Sequence, residues 1–485
     1  MHLARVEAEG NTQSRPYRRA VQSVAQALQS ASGLALAAAV LISVAGCGNT
    51  YRPVVSAINP VGPAAQPQKF AVAISTTGTA ANPTPGLVTF VDFSGDTVLI
   101  TAQIGVDPYY LVLNSGGTTG YTLNSDHTLT TFDVDTALLQ SNILQTTLLP
   151  GANPVSIFPE GTNTYVTDPG LNVVSQFTGQ PLNLQQQLSI DPAFTPIYVT
   201  GIASAPRVYA ISQRVGGGPG QVSTIETSSN TVDPIPIPVG QGPVYGVMTA
   251  DARRAFILNQ TDGTVTVINA QTNQLDIVPI GATNPISVGA SPLWADFAPA
   301  RNEMVVSNAG DGVHQGSVSI ISIPLCTATA LPSNPNCDPN NPVDAAGFGT
   351  VLATVPVGIN PLMVGVLQDT TNSRAYVVNG GNPNLPCAAP TTALPLGNCT
   401  VSVINLTTNT VTATIPVPLS LINAGTPVLN GHPNYIAVTN GTPTGKVYVT
   451  SPEANFMTVI RTDIDAVDLT VPLQGNGVSV RVTQP

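Results

Sequence analysis

Five short segments of this sequence share a pattern that could hold a ligand. They are Gly-x-x-Pro corners at Gly105–Pro108, Gly151–Pro154, Gly240–Pro243, Gly289–Pro292 and Gly358–Pro361. Their middle positions include Asp107, Asn153, Gln241, Ser291 and Asn360, and a degenerate copy, "NGHPN", contributes His432. Rings follow them closely: Tyr109, Tyr110, Tyr245, Trp294 and Tyr435. Polar donors and acceptors flanked by aromatic faces suit a sugar or a peptide. The same residues also suit a plainer duty, because corners are polar where they meet water and rings wedge between neighbouring units. His432 has no carboxylate at a spacing that marks an acid–base pair, so it reads as a surface histidine before it reads as a base.

Metal chemistry has weaker support. The acidic groupings are Asp133-x-Asp135, Asp463-x-Asp465 with Asp468, and Asp338 with Asp344. Calcium wants several oxygens converging from one or adjoining loops, and none of these matches an established calcium loop. The first two fall where a third strand turns into a fourth, a place that calls for turn formers in any case. Beyond Cys47 the cysteines are Cys326, Cys337, Cys387 and Cys399, which pair most naturally as 326–337 and 387–399, with two other pairings open. A zinc site is the rival reading, without a Cys-x-x-Cys spacing or a sequence-adjacent histidine to support it. No metal and no cofactor is expected.

The elements that must position these residues repeat. The hairpin "TVSVINLTTNTVTATIPVP" at 400–418 has eight relatives including itself, aligned on Val88, Leu129, Val174, Val222, Val265, Val318, Val401 and Met457, with spacings of 41, 45, 48, 43, 53, 83 and 56 residues. Each alternates β-branched with small polar residues, the period of a strand. An aromatic-led strand precedes the hairpin, as in "YVTD" at 165–168, "YVVN" at 376–379 and "YVTS" at 448–451, and the corner introduces another strand before that. Gly permits the torsions of a tight corner, and Pro opens a strand without losing a ladder bond. Four strands recurring every 40–45 residues or so make a propeller blade.

These residues resemble the YVTN-repeat family of β-propellers from Lys69 to the end. The resemblance implies an all-β fold, a single propeller of four-stranded antiparallel blades; the eight hairpin copies favour eight blades, with seven the runner-up. Its repeat residues are structural and imply no activity. The first unit begins "KFAVAIS" without an innermost strand, whereas the chain continues past the last unit with "GNGVSVRVTQP". Gly477–Val482 is therefore expected to complete the first blade, since an open sheet edge would remain otherwise. The 83-residue gap holds two insertions. Cys326 and Cys337 fall between a third and a fourth strand, Cys387 and Cys399 between a second and a third.

Composition narrows the function classes. Charged residues are 8% of the chain, against roughly 25% in an average soluble protein. The formal net charge is −11, and Lys69 and Lys446 are the only lysines. Nucleic-acid binding normally shows a basic footprint, and none is present. Without Cys-x-x-Cys-His there is no covalent c-type haem. A lone tryptophan argues against propellers built on repeated Trp docking around a quinone, and the Asp-box of sialidases is missing.

The amino end reads as an address. Residues 34–46, "LALAAAVLISVAG", form an apolar run of 13 behind Arg15, Arg18 and Arg19, which suits a signal-peptide core. The run ends at Val44-Ala45-Gly46-Cys47, which resembles the lipobox of bacterial lipoproteins and implies a diacylglycerol on Cys47. An ordinary secretory signal with a chance cysteine is the alternative. The expected organisation is a signal peptide at 1–46, a Gly/Pro/Asn-rich tether at 47–67 and the propeller at 68–485. Gly48 lacks the Asp that retains some lipoproteins at the inner membrane, so the outer membrane is preferred. The function expected is binding or scaffolding at the cell envelope, with a protein, peptide or glycan partner. The rivals are a lactonase-like hydrolase of sugar lactones or esters and an inert surface or adhesion component.

Overall fold

The computed structural model describes residues 70–483 apart from 79–81, 135–141, 204, 277–282, 325–346, 368–372, 389, 394, 396, 418–431 and 440–443. The signal peptide, the tether, Cys47, Cys326, Cys337, Asp135, Asp338 and Asp344 lie outside the described residues.

Eight antiparallel sheets form, seven of them from strands consecutive in the chain, with four strands in each sheet except for five in blades 4 and 5. The first strands of blades 2 to 8 are Pro108–Leu113, Ser156–Glu160, Phe194–Thr200, Pro243–Met248, Pro292–Ala298, Pro361–Leu367 and Tyr435–Thr439. Blade 1 joins Phe70–Thr76, Pro85–Asp92 and Thr97–Val106 to the C-terminal strand Asn476–Val482, which takes the first position. First strands of successive blades touch in an unbroken circle, so they line the axis. The fold is an eight-bladed β-propeller closed by its own C-terminus, as the missing first strand predicted. In blades 4 and 5 the fourth strand is broken into two pieces, Thr231–Val232 with Ile237–Gln241, and Gln274–Leu275 with Ile286–Ser287.

The strand sequences follow from where each strand lies. Second strands such as Arg254–Asn259 and third strands such as Thr264–Asn269 are buried on nearly every residue, because both faces of a blade pack against neighbours. The apolar clusters accordingly span pairs of blades, for instance Phe256, Leu258 and Val265 of blade 5 with Ala295, Met304 and Val306 of blade 6. Fourth strands meet solvent and alternate, as Asn183–Ser189 does.

Burying polar residues on both faces requires partners, and one arrangement supplies them repeatedly. The last residue of the second strand is a buried asparagine in blades 2, 5, 6 and 7: Asn124, Asn259, Asn308 and Asn379. Its amide donates to two hydroxyls of the third strand, for example Asn259 Nδ2 to Thr264 Oγ1 at 3.0 Å and to Thr266 Oγ1 at 2.9 Å. In blades 2, 6 and 7 the inner hydroxyl then accepts the backbone N–H of the corner glycine: Gly105 to Thr130 at 3.2 Å, Gly289 to Ser319 at 3.1 Å and Gly358 to Ser402 at 3.3 Å. A Cβ at Gly289 would lie 2.6 Å from Asn308 Nδ2, and one at Gly358 2.5 Å from Asn379 Nδ2. The glycine is therefore set by the asparagine packed on it. The residue before the corner proline is left-handed in four copies, with φ of 41° at Asp107, 59° at Gly242, 57° at Ser291 and 55° at Asn360. Gly, Asn and Asp tolerate that region best.

A second arrangement ties blade to blade. The tyrosine of the aromatic-led strand reaches the turn between third and fourth strands of the next blade: Tyr165 Oη donates to Asn230 Oδ1 at 2.5 Å, Tyr376 to Asp465 at 2.6 Å and Tyr448 to Asp96 at 3.2 Å. All three acceptors are left-handed turn residues. Asp465, one of the acidic residues considered for calcium, also takes Arg374 at 2.7 Å, and Asp463 pairs with Arg461. Asp96 receives Lys446, so blade 8 holds blade 1 by an ion pair as well as by the closing strand.

Removing residues 476–485 exposes the edge of Phe70–Thr76 and should lower the melting temperature sharply in a thermal scan; a truncated chain melting with the parent would contradict this closure. Tyr165→Phe, which loses one buried hydrogen bond, should cost about 1 kcal/mol in denaturant unfolding, and an unchanged midpoint would refute the clamp.

Candidate functional site

The first strands carry a recurrent bulge. Pairing with the second strand shifts between the corner proline and the residue two further on in blades 2, 4, 5, 6 and 7. The closing strand shifts likewise between Gly477 and Ser479. The residue skipped by the pairing is Tyr109, Ile197, Val244, Leu293 or Leu362, and the first to pair after it is Tyr110, Tyr198, Tyr245, Trp294 or Met363. Tyr435 and Ser156 stand two residues after Pro433 and Pro154. Bulges re-aim side chains in this way.

Here they build one layer across the axis. Tyr198 lies 5.0 Å from Tyr245 between ring centroids, Tyr245 stacks on Trp294 at 4.2 Å, and Trp294 meets Tyr435 edge-on at 6.2 Å. Tyr110 Oη and Ser156 Oγ are 3.5 Å apart, and Ser156 accepts Val199 N–H at 3.4 Å. Arg481, two residues beyond Ser479, places its guanidinium over Tyr435 at 4.6 Å and over Trp294 at 5.6 Å. It donates to Tyr435 Oη and to Leu111 O. The sequence-predicted Tyr110, Tyr245, Trp294 and Tyr435 are thus brought together, with their faces largely occupied by one another and by a cation of the chain itself. Tyr198 and Arg481 belong to the same layer and were not singled out from sequence. Tyr198 carried a legible signal, Pro196 two residues before it, without the corner glycine.

Three charged residues stand on the eight first strands: Glu160, Asp296 and Arg481. Burial works against the Arg481 charge, but the oxygens of Tyr435, Tyr110, Tyr198 and Tyr245 outweigh it and the group is raised. Burial raises Tyr198, Tyr245 and Tyr435 in turn. Asp296 accepts N–H groups from Val366 at 2.7 Å and Phe297 at 2.8 Å, yet burial pushes it up to about 6. Glu160 is pushed up to about 7 by burial, and its Oε2 has no hydrogen-bond partner.

The corner residues are not gathered into one cleft. Asp107 accepts Thr76 Oγ1 at 2.6 Å, Asn153 N–H donates to Asp168 at 2.8 Å, Gln241 N–H to Asp262 at 2.6 Å, and Ser291 meets Gln260 at 3.0 Å. Asn153 and Gln241 bond to the turn of the blade that follows the corner, and Asp107 and Ser291 to the blade that precedes it, so the contacts are spread around the rim. Tyr109 donates to Pro154 O at 2.5 Å and joins blade 2 to blade 3.

Asn360 and His432 behave differently. Strand order places the corners and the turns between second and third strands on one face. There, across blades 6 to 8, three loops interlock. Asn360 N–H donates to His314 O, and Gly380 N–H to Asn360 O. Asn382 Nδ2 donates to Val313 O at 3.4 Å. His432 Nε2 lies 3.2 Å from Asn382 O and 3.3 Å from Leu385 O, while its backbone N–H donates to Glu453 at 2.8 Å. The loop from Gly380 to Cys399 is stapled by a Cys387–Cys399 disulfide, one of the pairings expected. Cys387, Cys399 and His432 are 45 residues apart or less in sequence and meet here, so a histidine does stand beside these cysteines. The His314–Asp311 pair, exposed at 81% and 55%, flanks the same patch.

No protein-family model and no curated protein matches the chain. Among solved structures it is similar to AztD of Citrobacter koseri, with 12% identity and a TM-score of 0.53 over 85% of this chain and 97% of that one. It is also similar to the dihydro-heme d1 dehydrogenase NirN in complex with DHE, with 10% identity and a TM-score of 0.55 over 85% of this chain and 75% of that one. At such identities the likeness is one of fold, the β-propeller.

The raised carboxyls give a pH test. Glu160, at about 7 when folded against 4.5, and Asp296, at about 6 against 3.8, hold protons that the unfolded chain has released. Their contribution to stability is therefore lost as pH rises through that window. Glu160→Gln should flatten the fall in melting temperature between pH 4.5 and pH 7.5 and stabilise the chain at pH 8. A variant keeping the parent's full pH dependence would refute a raised Glu160 carboxyl whose Oε2 lacks a partner.

Proposed function

We propose that this β-propeller is a binding or scaffolding module, held at the outer membrane of a bacterial envelope by a lipid on Cys47, and that it recognises a protein, peptide or glycan through the corner face of blades 6 to 8. The observation that carries this reading is the Asn382 cluster. One asparagine links the turn of blade 6, the disulfide loop of blade 7 and the corner of blade 8, through Val313 and His432. Loops held rigid on a sheet scaffold are the usual carriers of recognition. Leu385, 43% exposed within this loop, offers an apolar anchor between polar groups.

The axis supports binding over hydrolysis. A hydrolase of lactones or esters would draw on an accessible group of acids, bases or metal ligands at the channel. Here the Arg481 guanidinium is covered by rings, and both oxygens of Asp296 are taken by backbone N–H groups. The propeller itself supplies shape and rigidity, and function lies in what is mounted on it.

The test is sedimentation of the purified chain with washed envelopes of a Gram-negative bacterium. Saturable co-sedimentation is expected, strongly reduced by Leu385→Arg and unaffected by Ile464→Arg, which places the same charge in an exposed turn of the opposite face. Equal binding by both variants, or none by the parent, would overturn the assignment of this face. For the anchor, Cys47→Ser should move the expressed chain from the detergent phase to the aqueous phase; unchanged partition would exclude lipidation.

A further inference from the structure

We infer that the Cys387–Cys399 staple is a redox-gated zinc site, with His432 as its third ligand. The two sulfurs and a ring nitrogen of His432 lie within 4.8 Å of one another, close enough for one cation to reach all three. Two thiolates and one imidazole form a donor set suited to Zn2+, leaving a fourth position for water. This inference stands apart from the recognition role proposed above and holds whether or not the face binds a macromolecule.

Three features show a site assembled by the fold. The histidine comes from the corner of blade 8, whereas both cysteines belong to the insertion of blade 7. His432 is held from two sides, by the carbonyls of Asn382 and Leu385 at its Nε2 and by Glu453 at its backbone N–H. Such carbonyl contacts orient ligating histidines. The loop does not depend on the disulfide alone. Asn398, 1% exposed, donates to the carbonyls of Leu385 at 3.0 Å and Pro386 at 3.1 Å, and it accepts Asn382 N–H at 2.7 Å. Residues 388 and 398 also exchange two backbone hydrogen bonds. These contacts keep the cysteines in place when the sulfur–sulfur bond is open.

Opening needs a reductant, and a dithiol is the class that fits. Cys399 is 2% exposed and Cys387 is half-buried, so a dithiol thiolate attacks Cys387 Sγ and Cys399 leaves as thiolate. The dithiol's second sulfur closes on its first and departs as a cyclic disulfide. Two electrons pass to the protein, and two protons end on Cys387 and Cys399. Zinc then binds both sulfurs as thiolates, releases those protons to solvent and takes the imidazole.

The experiment compares zinc binding by the reduced and oxidised full chain, using a chromophoric chelator as competitor and circular dichroism as a check on the fold. The Cys387→Ala/Cys399→Ala double variant keeps Cys47, Cys326 and Cys337 and so measures their background. Beyond that background, one Zn2+ per reduced chain and none per oxidised chain is expected, and Co2+ in its place should show a thiolate-to-metal charge-transfer band. His432→Ala should weaken binding by about tenfold or more while leaving the β-sheet spectrum intact. The inference is overturned if reduction adds no zinc over the double variant, if His432→Ala binds as tightly as the parent, or if reduction abolishes the β-sheet spectrum.

Discussion

A buried asparagine at the end of the second strand is the constraint on which much of this propeller rests. It carries a polar amide into a space closed on both faces by neighbouring blades, where an unmet donor costs about 1–3 kcal/mol. Its partners must therefore be hydroxyls, which is why third strands carry Thr or Ser at alternate positions, such as Thr264 and Thr266. The inner hydroxyl in turn takes the N–H of a corner residue that has no room for a side chain. Asparagine, hydroxyls, glycine and proline form one unit, and its recurrence writes the repeat into the sequence.

The low charge of the chain follows from the same economy. The repeated asparagines are neutral and their amide N–H groups are paired locally, although the Oδ1 atoms of Asn259, Asn308 and Asn379 have no partner. Among the buried charges some act within a blade, as Arg254 with Asp276 does, and others as joints between blades. Lys446 with Asp96 closes the ring on the outside. Arg481 closes it on the axis, where the strand that completes blade 1 also inserts a cation between Tyr435 and Trp294. One C-terminal strand thus both closes the ring and supplies the cation of the axial aromatic layer. What remains free to vary is the rim, and the largest described departure from the repeat is the disulfide-bearing loop on blade 7.

The fold was legible because the repeat is local. Alternation, corner and aromatic-led strand all lie within some 45 residues, and the missing first strand of unit one left a visible debt that "GVSVRV" settles. The site was less legible because its partners are brought together by ring geometry. Tyr198 lacks the corner glycine that marks its counterparts, and Arg481 stands on a strand with no proline. Asp107, Ser291 and Asn360 are polar by type, yet their left-handed torsions and their partners Thr76, Gln260 and His314 on the preceding blades account for them. Asp465 looked like half of a cation site and turns out to accept a tyrosine from the preceding blade. His432 lies far from Cys387 in sequence, and only the step from the blade 7 insertion to the blade 8 corner makes them neighbours.

The most direct measurement of the central constraint is a double-mutant cycle between Gly358 and Asn379. Gly358→Ala, Asn379→Ala and the double variant would be unfolded in denaturant beside the parent. If the glycine is demanded by the amide packed on it, Gly358→Ala is costly in the parent and much cheaper once Asn379 is alanine, with a coupling above roughly 0.5 kcal/mol. Additive costs would show that the corner glycine answers to something other than the asparagine, and the shared origin of the repeat argued above would fail.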